Sequence, residues 1–225
     1  MPTKIIVSYD GTDNDRDALE LGRLFAGAGA SLELAYVRHA LEAEKGRERY
    51  AEGDANALLE AGASSIGQPD LPHHVVLSPS TSEGLRDLAV SEHADMIVFG
   101  SEYRTAPNHV DPQASARRLL NGGPVALALA PAAFAEHPPR SFETIVAITE
   151  DGDPSALETA EALARKLGGS VARHPSRSAD LLVLGSKPGI PTGRVTLSAA
   201  SEYLIDLATC PVLALPRGVT IGFGT

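Results

Sequence analysis

The chain has 225 residues, a formal net charge of −10 and a single cysteine, Cys210. The acidic balance, with no basic run longer than Arg117-Arg118, argues against a nucleic-acid partner, whose phosphates need a positive face. One cysteine gives neither a disulfide framework nor a thiolate metal site, and no apolar run approaches the roughly 18 residues of a membrane span.

Hydrophobic residues make up 43% and aromatic residues only 4%, with no Trp, so the core must be built of Ala, Leu, Val and Ile. Such cores suit parallel sheets covered by Ala-rich helices. The opening MPTKIIVSYDG runs straight into a strand without the layout of a signal peptide, and the expectation is a cytoplasmic protein.

Lys4 to Tyr9 reads as a strand closed by the turn signal Asp10-Gly11. Asp13, Asn14 or Asp15 can cap the helix that follows, whose apolar face is Ala18, Leu21, Leu24, Phe25 and Ala28. Leu32 to Val37 is the second strand. Leu41 to Ile66 is a long helical region, apolar later at Ala55, Leu58, Leu59 and Ala61. His73 to Leu77 is the third strand, and Ser80 or Thr81 with Glu83 caps a helix reaching about His93. Met96 to Phe99 is the fourth strand, Ser115 to Asn121 a short helix and Val125 to Ala130 the fifth strand. Phe134 to Ser141, with His137-Pro138-Pro139, reads as a stiff linker.

A second unit then begins. Thr144 to Ile148 is a strand, and Asp153 and Pro154 suit the cap and first position of the next helix. Ala156, Leu157, Ala160, Leu163, Ala164 and Leu167 line one face of that helix. Two stretches repeat. ADMIVFGS, from Ala94, and ADLLVLGS, from Ala179, each hold Ala-Asp, four apolar residues and Gly-Ser, and each leads on to Pro-Val and an apolar run. Residues 39–94 separate strands two and four in the first unit, but only residues 175–179 do so in the second. Parallel strands in one sheet need about a dozen residues to cross over. Residues 171–174 are therefore expected to be an edge strand of altered direction, or a loop. The division expected is 1–133, a linker 134–142, a truncated unit 143–218 and a tail 219–225.

These pieces resemble the universal stress protein family in tandem form. KIIVSYDGTDNDRDALELGRLFA looks like the family's opening strand, Asp-Gly turn and first helix. ADMIVFGS and ADLLVLGS look like its fourth strand, and SEYLIDLATCPVLALPRG like its closing helix and strand. The resemblance implies an α/β fold, a doubly wound open sheet of five parallel strands in order 3-2-1-4-5, repeated as a shortened second unit. It also implies pairing through the last strand, here between the two units of one chain, with a homodimer as the family's other arrangement. It names no protein partner.

Many family members bind ATP through Gly-x-x-Gly, nine residues, then Gly-Ser or Gly-Thr. Glycines let backbone N–H groups approach phosphate oxygens beside a helix N-terminus. Here those positions fall on Gly100, Tyr103, Gln113 and Ala114, and in the second unit on Gly185, Pro188, Ser198 and Ala199. Most of the glycines are gone, and alanine replaces the closing hydroxyl in both. The resemblance implies further contacts at Asp10-Gly11 and at Val37, both at carboxyl ends of strands, where ligands of open α/β sheets bind. Asp10 reads equally as a turn residue, and Val37 as core. Ser101 and Ser115 flank the degenerate pattern, and Ser186 is the second-unit counterpart of Ser101. Asp10 corresponds to Thr149 or Glu150 there. Arg104 and His109, and Arg194 in the second unit, stand where side-chain charge could replace lost glycine contacts.

Three readings follow: a non-enzymatic stress or regulatory protein with a degenerate adenine-nucleotide site, an ATP or AMP sensor using Arg104 and His109, and a slow ATPase. The last lacks any visible Mg²⁺ carboxylate pair or positioned base beyond Asp10. No metal site is expected: neighbouring His73 and His74 point to opposite faces of a strand, and His39 with Glu42 and Glu44 reads as a solvated corner. Cys210 reads as a buried inert thiol.

Overall fold

A computed structural model describes residues 2–39, 48–174 and 178–224. Fourteen of the elements recount the expected alternation: β1 (Lys4–Ser8), α1 (Asp13–Gly27), β2 (Ser31–His39), α2 (Glu48–Ser65), β3 (His73–Ser78), α3 (Thr81–Ser91), β4 (Met96–Phe99), α4 (Ala114–Leu119), β5 (Ala126–Leu129), β6 (Thr144–Ile148), α5 (Ser155–Leu167), β7 (Ser170–Ala172), β8 (Leu181–Leu184) and α6 (Ala199–Asp206), with β9 (Val212–Ala214) closing the series. Residues 41–47 of the expected long helix, with Glu42 and Glu44, lie outside the described residues, as do residues 175–177.

The strands form one sheet in the order β3-β2-β1-β4-β5-β9-β8-β6-β7. The first five have the order 3-2-1-4-5 and are parallel throughout. β5 and β9 pair antiparallel, Leu127 with Ala214 and Leu129 with Val212, so the two halves meet through their last strands within one chain. Beyond that seam, β9-β8-β6-β7 reverses β2-β1-β4-β5 in position.

One expectation about the second half is corrected. β7 is an edge strand, as expected, but it runs parallel to β6, with Thr144 opposite Ser170 and Val146 opposite Ala172. Its direction is not altered. β7 spans the level of residues 144–146, and β8 starts opposite Ile145. β7 and β8 thus flank β6 at nearly the same level, and no return along a full strand separates them. The usual length of a parallel crossover assumes that return, so a three-residue strand escapes it.

Apolar residues pack on both faces of the sheet. One core layer joins α1, α2 and α5 through Leu21, Phe25, Leu59, Ala160 and Leu163; the other joins α3, α4 and α6 through Leu85, Ala116 and Ile205. In α2 the inward positions are Ala55, Leu59 and Ala63, at four-residue spacing; Ala61 is exposed. α3 begins as expected, with Ser80 Oγ accepting from Glu83 N. α1 is capped one residue earlier than expected. Thr12 is the cap, and Asp15 closes a capping box with it.

The segments read as a linker and a tail are both built into the core. Ala133, at φ +63°, starts a single 3-10 turn over Phe134–Glu136. Asp17 on α1 holds that turn, its carboxylate accepting from Ala133 N at 2.9 Å and Ala135 N at 2.7 Å. After β9 the chain crosses from α5 to α1. Gly218 N donates to Asp153, Thr220 Oγ1 to Glu158 and Ile221 N to Thr159 Oγ1. It ends with Phe223 fully buried against Phe25, ring centroids 5.6 Å apart, while Phe142 meets Phe25 at 5.7 Å. These rings tie the segments before β6 and after β9 to α1.

Candidate functional site

Ligands of such sheets bind beyond the carboxyl ends of the strands, where the strand order reverses, here between β1 and β4. At the end of β1, Asp10 is exposed and its N–H donates to Asp15 Oδ2 at 2.7 Å; Thr12 N donates to the same oxygen at 3.1 Å. Gly11 takes φ +84°, so the turn needs a residue that accepts left-handed backbone. Asp15 is 4% exposed. Burial, and next the Asp10 carboxylate, push its own carboxyl up to about 8, against the pull of the Asp10 and Thr12 amides.

That shift has a sign. Between the usual aspartate range and about 8, the folded chain keeps a proton on Asp15 that the unfolded chain has released. Stability is then lost as pH rises through this window. Asp15→Asn keeps an oxygen for both amides and removes the titration. Urea midpoints measured at about pH 5 and about pH 8 should differ less in Asp15→Asn than in the parent. An unchanged difference would show that Asp15 is not the group responsible.

The loop after β4 is folded back on α1. A Cβ on Gly100 would lie 2.1 Å from the Asn14 carbonyl oxygen, so the glycine is demanded by the approach of α1. Asn14 Nδ2 donates to Ser101 O at 2.7 Å, and Gln113 Nε2 reaches the same oxygen at 3.5 Å. Ser101 is buried; its hydroxyl donates to Ala130 O at 2.7 Å and accepts from Asp111 N at 3.3 Å. Ser186 repeats this in the second half, donating to Leu215 O at 2.7 Å and accepting from Thr196 N at 3.0 Å. Both Gly-Ser serines therefore staple their loop to the end of the neighbouring strand.

The other positions separate. Val37 is 7% exposed and packs toward α3, where a Cβ on Gly84 would come within 2.9 Å of it. Tyr103 is 67% exposed and carries the Arg104 guanidinium 4.9 Å above its ring. Arg104, His109 and Ala114 are exposed, and Gln113 and Ser115 half-buried around the start of α4. The Tyr103 side chain thus points into solvent.

In the second half Gly185 has no close neighbour, the nearest atom to an added Cβ being Glu150 N at 3.5 Å. Arg194 lies across the seam, donating to Gly122 O at 3.2 Å, while Gly122 N donates to Val195 O. The start of α6 is already occupied by the chain itself. Glu150 Oε1 accepts from Ser198 Oγ at 2.6 Å and Ser201 Oγ at 3.2 Å. Arg217, which the sequence pattern does not mark, donates to Ser186 O at 3.1 Å and Asp151 O at 2.7 Å, closing the same end. Cys210 is half-buried, its thiol pushed up to about 12 by burial and then by Asp180, which suppresses thiolate chemistry.

A parallel sheet in order 3-2-1-4-5, with its switch point between β1 and β4 and a Gly-Ser loop after β4, defines a doubly wound α/β protein. The Universal stress protein family matches residues 1–131, and the chain belongs to that family. Its fold is similar to that of a universal stress protein from Archaeoglobus fulgidus, at 17% identity and a TM-score of 0.61, covering 96% of this chain and 98% of that one. It is also similar to a Pseudomonas aeruginosa protein assigned to the universal stress proteins, at 13% identity and a TM-score of 0.64, covering 96% and 94%. No curated protein matches the chain. Among the described residues, no helix is long and apolar enough to cross a membrane.

Proposed function

We propose that the chain is a non-enzymatic stress-response or regulatory protein of the cytoplasm. In this reading it is a tandem of two units, residues 1–133 and 143–218, whose adenine-nucleotide sites are degenerate. The observation that carries the reading is Glu150. A carboxylate held by two hydroxyls at the N-terminus of α6 takes the place where an anionic ligand would sit. A phosphate would have to displace a group of its own charge from partners already satisfied.

The first unit supports the same reading by a different route. Its Gly-Ser hydroxyl is spent on Ala130 and Asp111, and Gly100 answers to α1. The two side chains expected to replace lost glycine contacts, Arg104 and His109, are both exposed. Calorimetric titration of ATP and of AMP into the full chain tests it. The expected result is no saturable binding below about 1 mM, which is less than roughly 4 kcal/mol of affinity. Saturable binding that Arg104→Ala weakens would establish the sensor reading instead, and phosphate release from ATP would establish an enzyme.

A further inference from the structure

At the end of the sheet opposite the nucleotide region, four charged or basic side chains converge on the α3 face. Lys4 Nζ, on β1, lies 3.1 Å from Glu33 Oε1 on β2 and 3.2 Å from Glu92 Oε2 at the end of α3. His74 Nε2, on β3, lies 2.8 Å from Glu33 Oε2. One ligand atom each from Glu33, His74 and Glu92 lies within 4.8 Å of the others. We propose that these three residues form a site for a divalent transition-metal ion of the zinc class, and that Lys4 is the cation it displaces.

The chemistry of the donors supports this. One imidazole and two carboxylates are the ligand set that suits zinc, with a water completing a tetrahedron. The Lys4 ammonium between two carboxylate oxygens marks a point where the surrounding charge favours a cation. Two carboxylates against one ammonium leave that point short of one positive charge. Metal bonds of about 2.0–2.2 Å require the ligand atoms to close in. Glu92 and Lys4 are the more exposed members, at 36% and 28%, and sit at an element's end and start, so that movement falls to them. Glu33 and His74 sit on neighbouring strands and are already in contact.

The site escaped sequence reasoning because its ligands are spread over residues 33–92 with no motif spacing. The pairing of His73 with His74 remains excluded: His73 Nδ1 turns to Leu71 O at 3.4 Å.

Zinc chloride titrated by calorimetry into the full chain, in a non-chelating buffer, tests the proposal. The parent should bind, with a change in the His74 imidazole nitrogen shift in NMR. Lys4→Met should bind about tenfold tighter, and His74→Ala and Glu92→Gln each about tenfold weaker or more. If Lys4→Met fails to fold, Lys4→Gln serves the same comparison. Equal affinity in the parent and His74→Ala would mean that zinc binds elsewhere, and no gain on removing Lys4 would mean that the ammonium is not competing; either result overturns the proposal.

Discussion

Phe223→Ala is expected to lower the stability of the full chain by about 3–5 kcal/mol, the usual cost of emptying a buried aromatic position. For a chain of this size that corresponds to a fall of roughly 6–20 °C in melting temperature. The argument rests on where the ring sits. Phe223 is fully buried and stacked on Phe25 of α1, which in turn meets Phe142 ahead of β6. Its stacking partner Phe25 belongs to α1, which is packed on the sheet and limits how far the space can collapse. Gly29, at φ +101°, is also held close; a Cβ there would lie 3.2 Å from Phe223 O. Phe223→Leu should recover much of the loss. A thermal melt of Phe223→Ala that matches the parent would show that the closing segment is a tail after all.

How far this was readable from the sequence differs by element. β4 and β6 fall on the expected residues because a short apolar run closed by Gly-Ser or Thr-Glu leaves little choice of boundary. The Ala-Asp and Gly-Ser repeat was visible, and it matters structurally in both copies. Asp95 accepts from Lys4 N at 2.9 Å, and Asp180 accepts from Thr144 N at 2.7 Å, so each aspartate clamps the start of its unit's first strand. Ser101 and Ser186 tie the other end. The family pattern drew attention to those serines as ligand contacts, whereas their hydrogen bonds are internal, because a buried hydroxyl must find partners inside the fold.

The misses share a cause. The tie from Asp17 to residues 133–135, the closure of α6 by Glu150 and the burial of Phe223 all join residues far apart in the chain. Local periodicity carries no information on such pairs. β7 departs from expectation for another reason: the usual crossover length presumes a full strand, and β7 has only three residues.

Residues 143–225 expressed alone are expected to be insoluble or to self-associate, while residues 1–136 fold. Cutting at residue 143 removes Phe142 and parts Phe223 from Phe25, so the fully buried Phe223 ring loses its stacking partner. It also strips β9 of β5, leaving an apolar edge strand whose residues Val212, Leu213 and Ala214 are all fully buried in the intact chain. An exposed apolar edge recruits another strand. Residues 1–136 keep five parallel strands and the helices α1 to α4, which is a complete sheet with both faces covered. They too bare an edge, at β5. The antiparallel register of Leu127 to Leu129 on β9 can be satisfied by β5 of a second copy, so this fragment should run as a dimer in light scattering. A Leu127→Lys substitution in the fragment, which places like charges in that seam, should return it to a monomer or unfold it. A monomeric, cooperatively melting fragment 143–225 would contradict the argument, since it would show that the second half needs neither the rings nor the strand that the first half supplies.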